Sequence, residues 1–187
     1  MKWKKFGAIA VAGVLACSAL CLSPFKPSAE AVDLMQDTFE TGYGSWKGVG
    51  STITITSDEA HGGTKSLYVH DRTASWGAPR CSMTGILAAG KTYEFQASVM
   101  FPGSGSQQFA FKMIYTDSSG TDHYDNITYK QANAGEWVTL SGSYTVPNGA
   151  TGMILYVELP GANTDQGYYI DDVLVRGEKT TIQLNDE

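Results

Sequence analysis

The chain has 187 residues, 42% of them hydrophobic and 11% aromatic, with 13 basic against 19 acidic side chains and a net charge of −6. An acidic, aromatic-rich chain argues against nucleic acid and anionic membrane surfaces as partners, because both need basic patches. Neutral ligands fit better.

Met1-Lys2-Trp3-Lys4-Lys5 precedes an almost wholly apolar run from Gly7 to Leu22, followed by Ser28-Ala29-Glu30-Ala31. A charged start, an apolar stretch and an Ala-x-Ala site predict a signal peptide over 1–31 and a secreted, extracellular product with no membrane attachment after cleavage. The alternative, an uncleaved anchor, wants about 20 apolar residues, longer than this run. Val14-Leu15-Ala16-Cys17 makes a poor lipobox. Cleavage leaves nine basic and eighteen acidic residues, a net charge of −9, and Cys81 as the one remaining cysteine. No intrachain disulfide is then available, and about 156 residues suffice for one domain with its own core.

Beyond the leader, runs with period-two alternation predict strands at Ile53–Thr56, Ser66–His70, Lys91–Phe101, Gln107–Asp117, His123–Lys130, Glu136–Val146, Gly152–Leu159 and Tyr168–Val175. Short strands separated by Gly, Ser and Asn turns predict an all-β jelly-roll β-sandwich of two antiparallel sheets. The polar stretch 177–187 reads as a loosely ordered tail or the start of a linker.

Alternation sorts side chains by face. Tyr93, Phe95, Ala97, Val99 and Phe101 form one core set; Met153, Leu155, Val157 and Leu159 form another, leaving Ile154, Tyr156 and Glu158 on the outer face. Tyr156 and Glu158 are then either ordinary surface or half of a binding groove. In the polar loop His70–Pro79, Trp76 is either a core plug or a flat platform. A sugar site needs such a platform with planar hydrogen-bonding groups at its rim. Trp76, Tyr124 and Tyr156 offer ring faces, Glu158 a carboxylate and Arg72 a donor fork, although Arg72 also suits a loop-fixing role. Trp137 and Tyr144 read as core, Cys81 as a buried apolar filler, and His61, His70 and His123 lack metal-ligand spacing.

Phe39-Glu40, Ala60-His61-Gly62-Gly63-Thr64-Lys65-Ser66-Leu67, Arg72-Thr73-Ala74-Ser75-Trp76-Gly77, Gly90-Lys91-Thr92-Tyr93, Tyr115-Thr116-Asp117, Gly135-Glu136-Trp137, Tyr144-Thr145-Val146-Pro147 and Tyr169-Ile170-Asp171-Asp172-Val173 occur in an order and spacing that carry a resemblance. From Asp37 to Arg176 the chain resembles the family 22 carbohydrate-binding modules found beside xylanases, within the wider group of families 4 and 9. The resemblance implies a carbohydrate-binding module over 32–176 that holds β-1,4-xylan, xylo-oligosaccharides or mixed-linkage β-glucan in a cleft without cleaving them. A monomer is expected, and a covalently linked glycoside hydrolase domain is a candidate partner. Position by position, the family's cleft residues fall on Trp76, Tyr124, Tyr156 and Glu158. One departure stands at Val49, where the family often has an arginine; Lys47 supplies a donor nearby but no planar fork.

The same resemblance implies a structural calcium held by Glu40 and Asp171 with the carbonyls of Thr38 and Lys65, a hard oxygen set of the kind this cation takes. By itself the Asp171-Asp172 pair reads as a solvated strand edge. Two other functions remain open. A small jelly-roll glycosidase or polysaccharide lyase requires, for hydrolysis, a second carboxylate such as Glu94 or Asp125 facing Glu158. A stabilising or attachment module with its cleft degraded at Val49 requires no ligand at all.

Overall fold

A computed structural model describes residues 31–178. They form eleven strands: β1 (Ala31–Asp37), β2 (Trp46–Val49), β3 (Thr52–Thr56), β4 (Ser66–His70), β5 (Ala78–Ser82), β6 (Thr92–Met100), β7 (Ser106–Thr116), β8 (Asp122–Asn133), β9 (Val138–Thr145), β10 (Thr151–Glu158) and β11 (Tyr168–Glu178). One sheet runs β3-β4-β11-β6-β9, with β1 pairing the C-terminal half of β11; the other runs β2-β5-β10-β7-β8. Every pairing between these strands is antiparallel, which makes the expected jelly-roll β-sandwich.

The core lies where the alternating faces meet. Tyr93, Phe95, Ala97, Val99 and Phe101 of β6 and its end are buried, as are Met153, Leu155, Val157 and Leu159 of β10. Phe95 meets Phe111 edge-on across the two sheets at 6.2 Å, and Phe109 meets Tyr168 at 5.7 Å, so the inner faces interdigitate. Cys81 is buried among these residues, and burial, with Asp37 nearby, pushes its thiol up to about 12. An uncharged filler is what that implies.

Three strands lie outside the sequence expectation. β1 opens at Ala31, the last residue of the expected leader; residues 1–30 lie outside the described residues. β2 is four residues long, too short for a periodic signal, and Pro79 interrupts the run that would announce β5. At the other end β11 continues to Glu178, taking in the first two residues of the expected tail, because β1 pairs with it as far as Ala31↔Glu178. The rest of the tail lies outside the described residues.

Trp137 corrects a second expectation. It is half-buried, and instead of entering the core it packs beside Tyr169 at 6.5 Å and His61 at 5.6 Å. Tyr144 packs against the core and donates its hydroxyl to Asp125 at 2.8 Å.

Candidate functional site

The five-stranded sheet carries a cleft on its outer face, and strand register explains it. Tyr156 on β10 stands directly opposite Arg80 on β5 and Lys112 on β7. The Arg80 guanidinium lies 5.6 Å from the centroid of the Tyr156 ring and the Lys112 ammonium 5.5 Å, so the ring is flanked by two cations. Two residues on, Glu158 accepts a 3.1 Å hydrogen bond from Lys112 Nζ. Tyr156 and Glu158 share the outer face that alternation assigns, yet they are only 3% and 8% exposed. They form a floor, because long side chains from both neighbouring strands fill the space beside them.

The rim is aromatic. Trp76 and Tyr124 are 50% and 56% exposed, large rings left open to solvent. Together with Val49, Arg80, Lys112, Tyr156 and Glu158 they enclose a cleft of about 480 Å³, within the range of small-ligand sites. Burial pushes the Tyr156 hydroxyl up, with Lys112 pulling the other way, so it is a neutral donor and acceptor near pH 7. For Lys112 burial alone lowers the pKa, but its bonds to Glu158 and Tyr156 outweigh that and raise it. The floor thus presents a fixed ammonium and a fixed carboxylate side by side.

Trp76 is held out by its own loop. Gly50, at φ +62°, brings its backbone against the ring edge, where an added Cβ would lie 2.6 Å from the indole. The Gly50 carbonyl accepts the Thr73 amide at 2.9 Å, and Gly77 closes a turn onto the Ala74 carbonyl at 2.9 Å. Arg72 sits beneath this loop, 4% exposed. Its guanidinium donates to the carbonyls of Ser75, Gly77, Leu159, Asn163 and Gln166, which uses all five of its N–H donors. Arg72 is therefore corrected from ligand contact to loop-fixing residue: a saturated, buried fork has nothing left to offer a sugar.

Arg80 and Lys112 are the cleft residues that sequence reasoning missed. For Lys112 the signal was present: Phe109, Phe111 and Met113 alternate inward, which puts residue 112 on the face of Tyr156. For Arg80 it was hidden by Pro79. Val49 does line the cleft, whereas Lys47, two residues earlier on β2 and opposite Arg80 in register, does not.

Glu40 and Asp171 grip the same loop from two positions. Glu40 accepts the Thr64 and Lys65 amides, both at 2.8 Å, and the Thr64 hydroxyl at 2.8 Å; the Thr64 and Lys65 bonds hold its carboxyl below the usual range. Asp171 is fully buried next to a β-bulge at Asp172, whose φ is +46°. It accepts the amides of His61, Gly62 and Asp172 at 2.8–3.0 Å and has no salt-bridge partner among the described residues. Burial raises its pKa despite those three donors. A buried carboxylate paired only with amides is chemically suited to a cation. Among the described residues no three Asp, Glu, His or Cys side chains form a group that could by itself hold a metal ion. Carbonyl oxygens, with Thr38 two residues from Glu40 and Lys65 bonded to it, would have to complete such a shell.

The hydrolase geometry is not met by the carboxylates named for it. Glu94 lies on β6 in the other sheet, and Asp125 points to the opposite face of β8 from Tyr124, where it accepts the Tyr144 hydroxyl. Neither faces Glu158.

Residues 34–166 match the model of a family described as a carbohydrate binding domain. A xylanase/beta-glucanase of Ruminococcus flavefaciens is 36% identical over 168 residues, 88% of this chain and 20% of that protein. The chain thus spans about a fifth of the length of that relative. Among solved structures, a xylan-binding domain from family 22 is 34% identical, with a TM-score of 0.72 over 79% of this chain and 96% of that one. The first family 22 xylan-binding domain of Paenibacillus barcinonensis Xyn10C is 25% identical, with a TM-score of 0.74 over 82% and 99%. Sequence match, two-sheet fold and aromatic-rimmed cleft agree that the chain belongs to the family 22 carbohydrate-binding modules.

Proposed function

We propose that the Trp76–Tyr124 cleft binds β-1,4-xylan and xylo-oligosaccharides, with mixed-linkage β-glucan as a second ligand, and does so without cleaving them. The observation that carries this reading is two open aromatic rings over a floor of Tyr156, Lys112 and Glu158. The rings suit the apolar C–H faces of a pyranose, and the floor suits its equatorial hydroxyls. Supporting it, similar structures carry the name xylan-binding domain, and similar sequences occur within xylanases. Affinity in an open cleft with so few platforms falls in the micromolar to millimolar range. Its use is tethering: a secreted enzyme joined to the module gains effective concentration at the polysaccharide. Calorimetric titration with xylo-oligosaccharides and mixed-linkage glucan tests this. Heat for the wild type and none for Trp76→Ala is the expected result, and no heat for the wild type overturns it.

The same reading includes a structural calcium held by Glu40 and Asp171, with carbonyls of Thr38 and Lys65 in its shell. Bound there, the cation would neutralise a buried carboxylate and tie β11 to the 61–65 loop. It would have no part in gripping sugar, since neither carboxylate lines the cleft.

A further inference from the structure

The cleft does not end at Arg80. Val49 and Arg80 also line a neighbouring depression of about 680 Å³, whose other walls include Ser45, Lys47, Ser82 and Thr84. Lys47 and Arg80 face each other directly across the β2–β5 pair. Like charges in that position repel and cost stability, so an acidic partner is normally found beside them. None is: neither side chain forms a salt bridge among the described residues, and no carboxylate lines the depression. Asp37, whose carboxylate lies near the Gly44 backbone but does not line the depression, accepts the Trp46 indole N–H at 2.7 Å. Arg80 Nε is buried without a hydrogen-bond partner among the described residues, in contrast to Arg72 with its five carbonyls. Cleft and depression together present three cations, Lys47, Arg80 and Lys112, against one carboxylate, Glu158, in a chain whose net charge is −6. The local sign is opposite to that of the whole molecule.

We propose that this depression is an anion subsite, taking the carboxylate of a uronic acid branch on the polysaccharide whose backbone lies in the Trp76–Tyr124 cleft. It rests on the reading of that cleft as a xylan site and names the decoration the site selects. Arg80, at the junction, contacts backbone and branch; Lys47, exposed on the edge strand, contacts the branch alone. The hydroxyls of Ser82 and Thr84 suit the remaining polar edge of the branch sugar. A guanidinium and an ammonium converging on one carboxylate form charge-assisted hydrogen bonds, stronger than those available to a neutral sugar.

The test is calorimetric titration of the intact chain with linear xylo-oligosaccharides and with the same backbones carrying one glucuronic acid branch. The wild type should bind the acidic ligands about three- to tenfold more tightly, with the advantage shrinking as salt is raised. Lys47→Gln should erase that preference and leave linear ligands unaffected; its melting temperature reports that the fold is intact. Arg80→Gln should weaken both. Equal or weaker binding of the acidic ligand, or a preference that survives Lys47→Gln, overturns the subsite while leaving the xylan cleft standing. Failure of the wild type to bind the linear ligands overturns both.

Discussion

Lys112 and Glu158, on neighbouring strands of the five-stranded sheet, form an ion pair of 3.1 Å with side chains only 20% and 10% exposed. A pair this sheltered is poor insurance for stability, because desolvation offsets most of its Coulomb energy. Its position beside Tyr156 gives it another use: it holds a donor and an acceptor rigid at the base of the cleft. Removing one partner strands the other's charge. Glu158→Leu and Lys112→Met should each cost about 2–3 kcal/mol, below the roughly 3–5 of fully buried pairs because some solvent reaches them. The double variant should regain most of that loss in urea denaturation while binding no better than either single one.

Trp76 is half exposed and Tyr124 more so, which separates their contribution to binding from any contribution to folding. Trp76→Ala should lower xylo-oligosaccharide affinity at least tenfold, about 1.4 kcal/mol, with the melting temperature within a few degrees of wild type. Arg72→Ala should do the reverse in order of cause: five carbonyls lose their donor, the loop loosens, and affinity falls with stability. Paired calorimetry and thermal melts distinguish the two patterns.

Gly50 sits between β2 and β3 at φ +62° and packs against the Trp76 loop, with the indole edge where a side chain would begin. Gly50→Ala combines a strained backbone with a steric clash and should cost about 1–2 kcal/mol. Because the ring must move, ligand affinity should fall too, visible as reduced retardation on xylan-containing gels.

Acid sensitivity should concentrate in the β7–β8 turn. Asp117 accepts hydrogen bonds from Ser119 and Thr121 and a 2.7 Å bond from His123, and these, led by the Ser119 hydroxyl, hold its carboxyl far below the usual range. A depressed carboxylate stabilises the fold at any pH above its unfolded value, about 3.9. That stabilisation is lost as pH falls from there through the folded value. Asp117→Asn should therefore flatten the decline in melting temperature below pH 4 and change little in slope between pH 6 and 8.

Asp171 has the opposite sign. Its pKa is raised by burial, so in chelated protein its ionisation, as pH rises through the folded value, opposes folding. Calcium should remove that penalty. A thermal shift upward on adding calcium, absent at the pH where Asp171 is protonated and absent in Asp171→Ala, is expected; equal melting with calcium and with chelator at pH 7 counts against the metal.

The core strands, their inward sets and the common face of Tyr156 and Glu158 were legible in the sequence, because period-two alternation is a local property that packing then amplifies. Trp76 was legible as a ring in a Gly-bounded loop, but its exposure was not. That depended on Gly50 from the β2–β3 turn and on Arg72 being occupied by carbonyls of the β10–β11 connection, up to 94 residues away. The chain order likewise held no sign that Arg80 would flank Tyr156, since β5 is masked by a proline and joins β10 across seventy residues of sequence-distant chain. What the sequence by itself determined is the sandwich and which faces turn outward; only tertiary structure decided which outward residues meet. The physical reason is register: hydrogen bonds between distant strands place Lys47, Arg80, Tyr156 and Lys112 in one row, and no local pattern encodes that alignment.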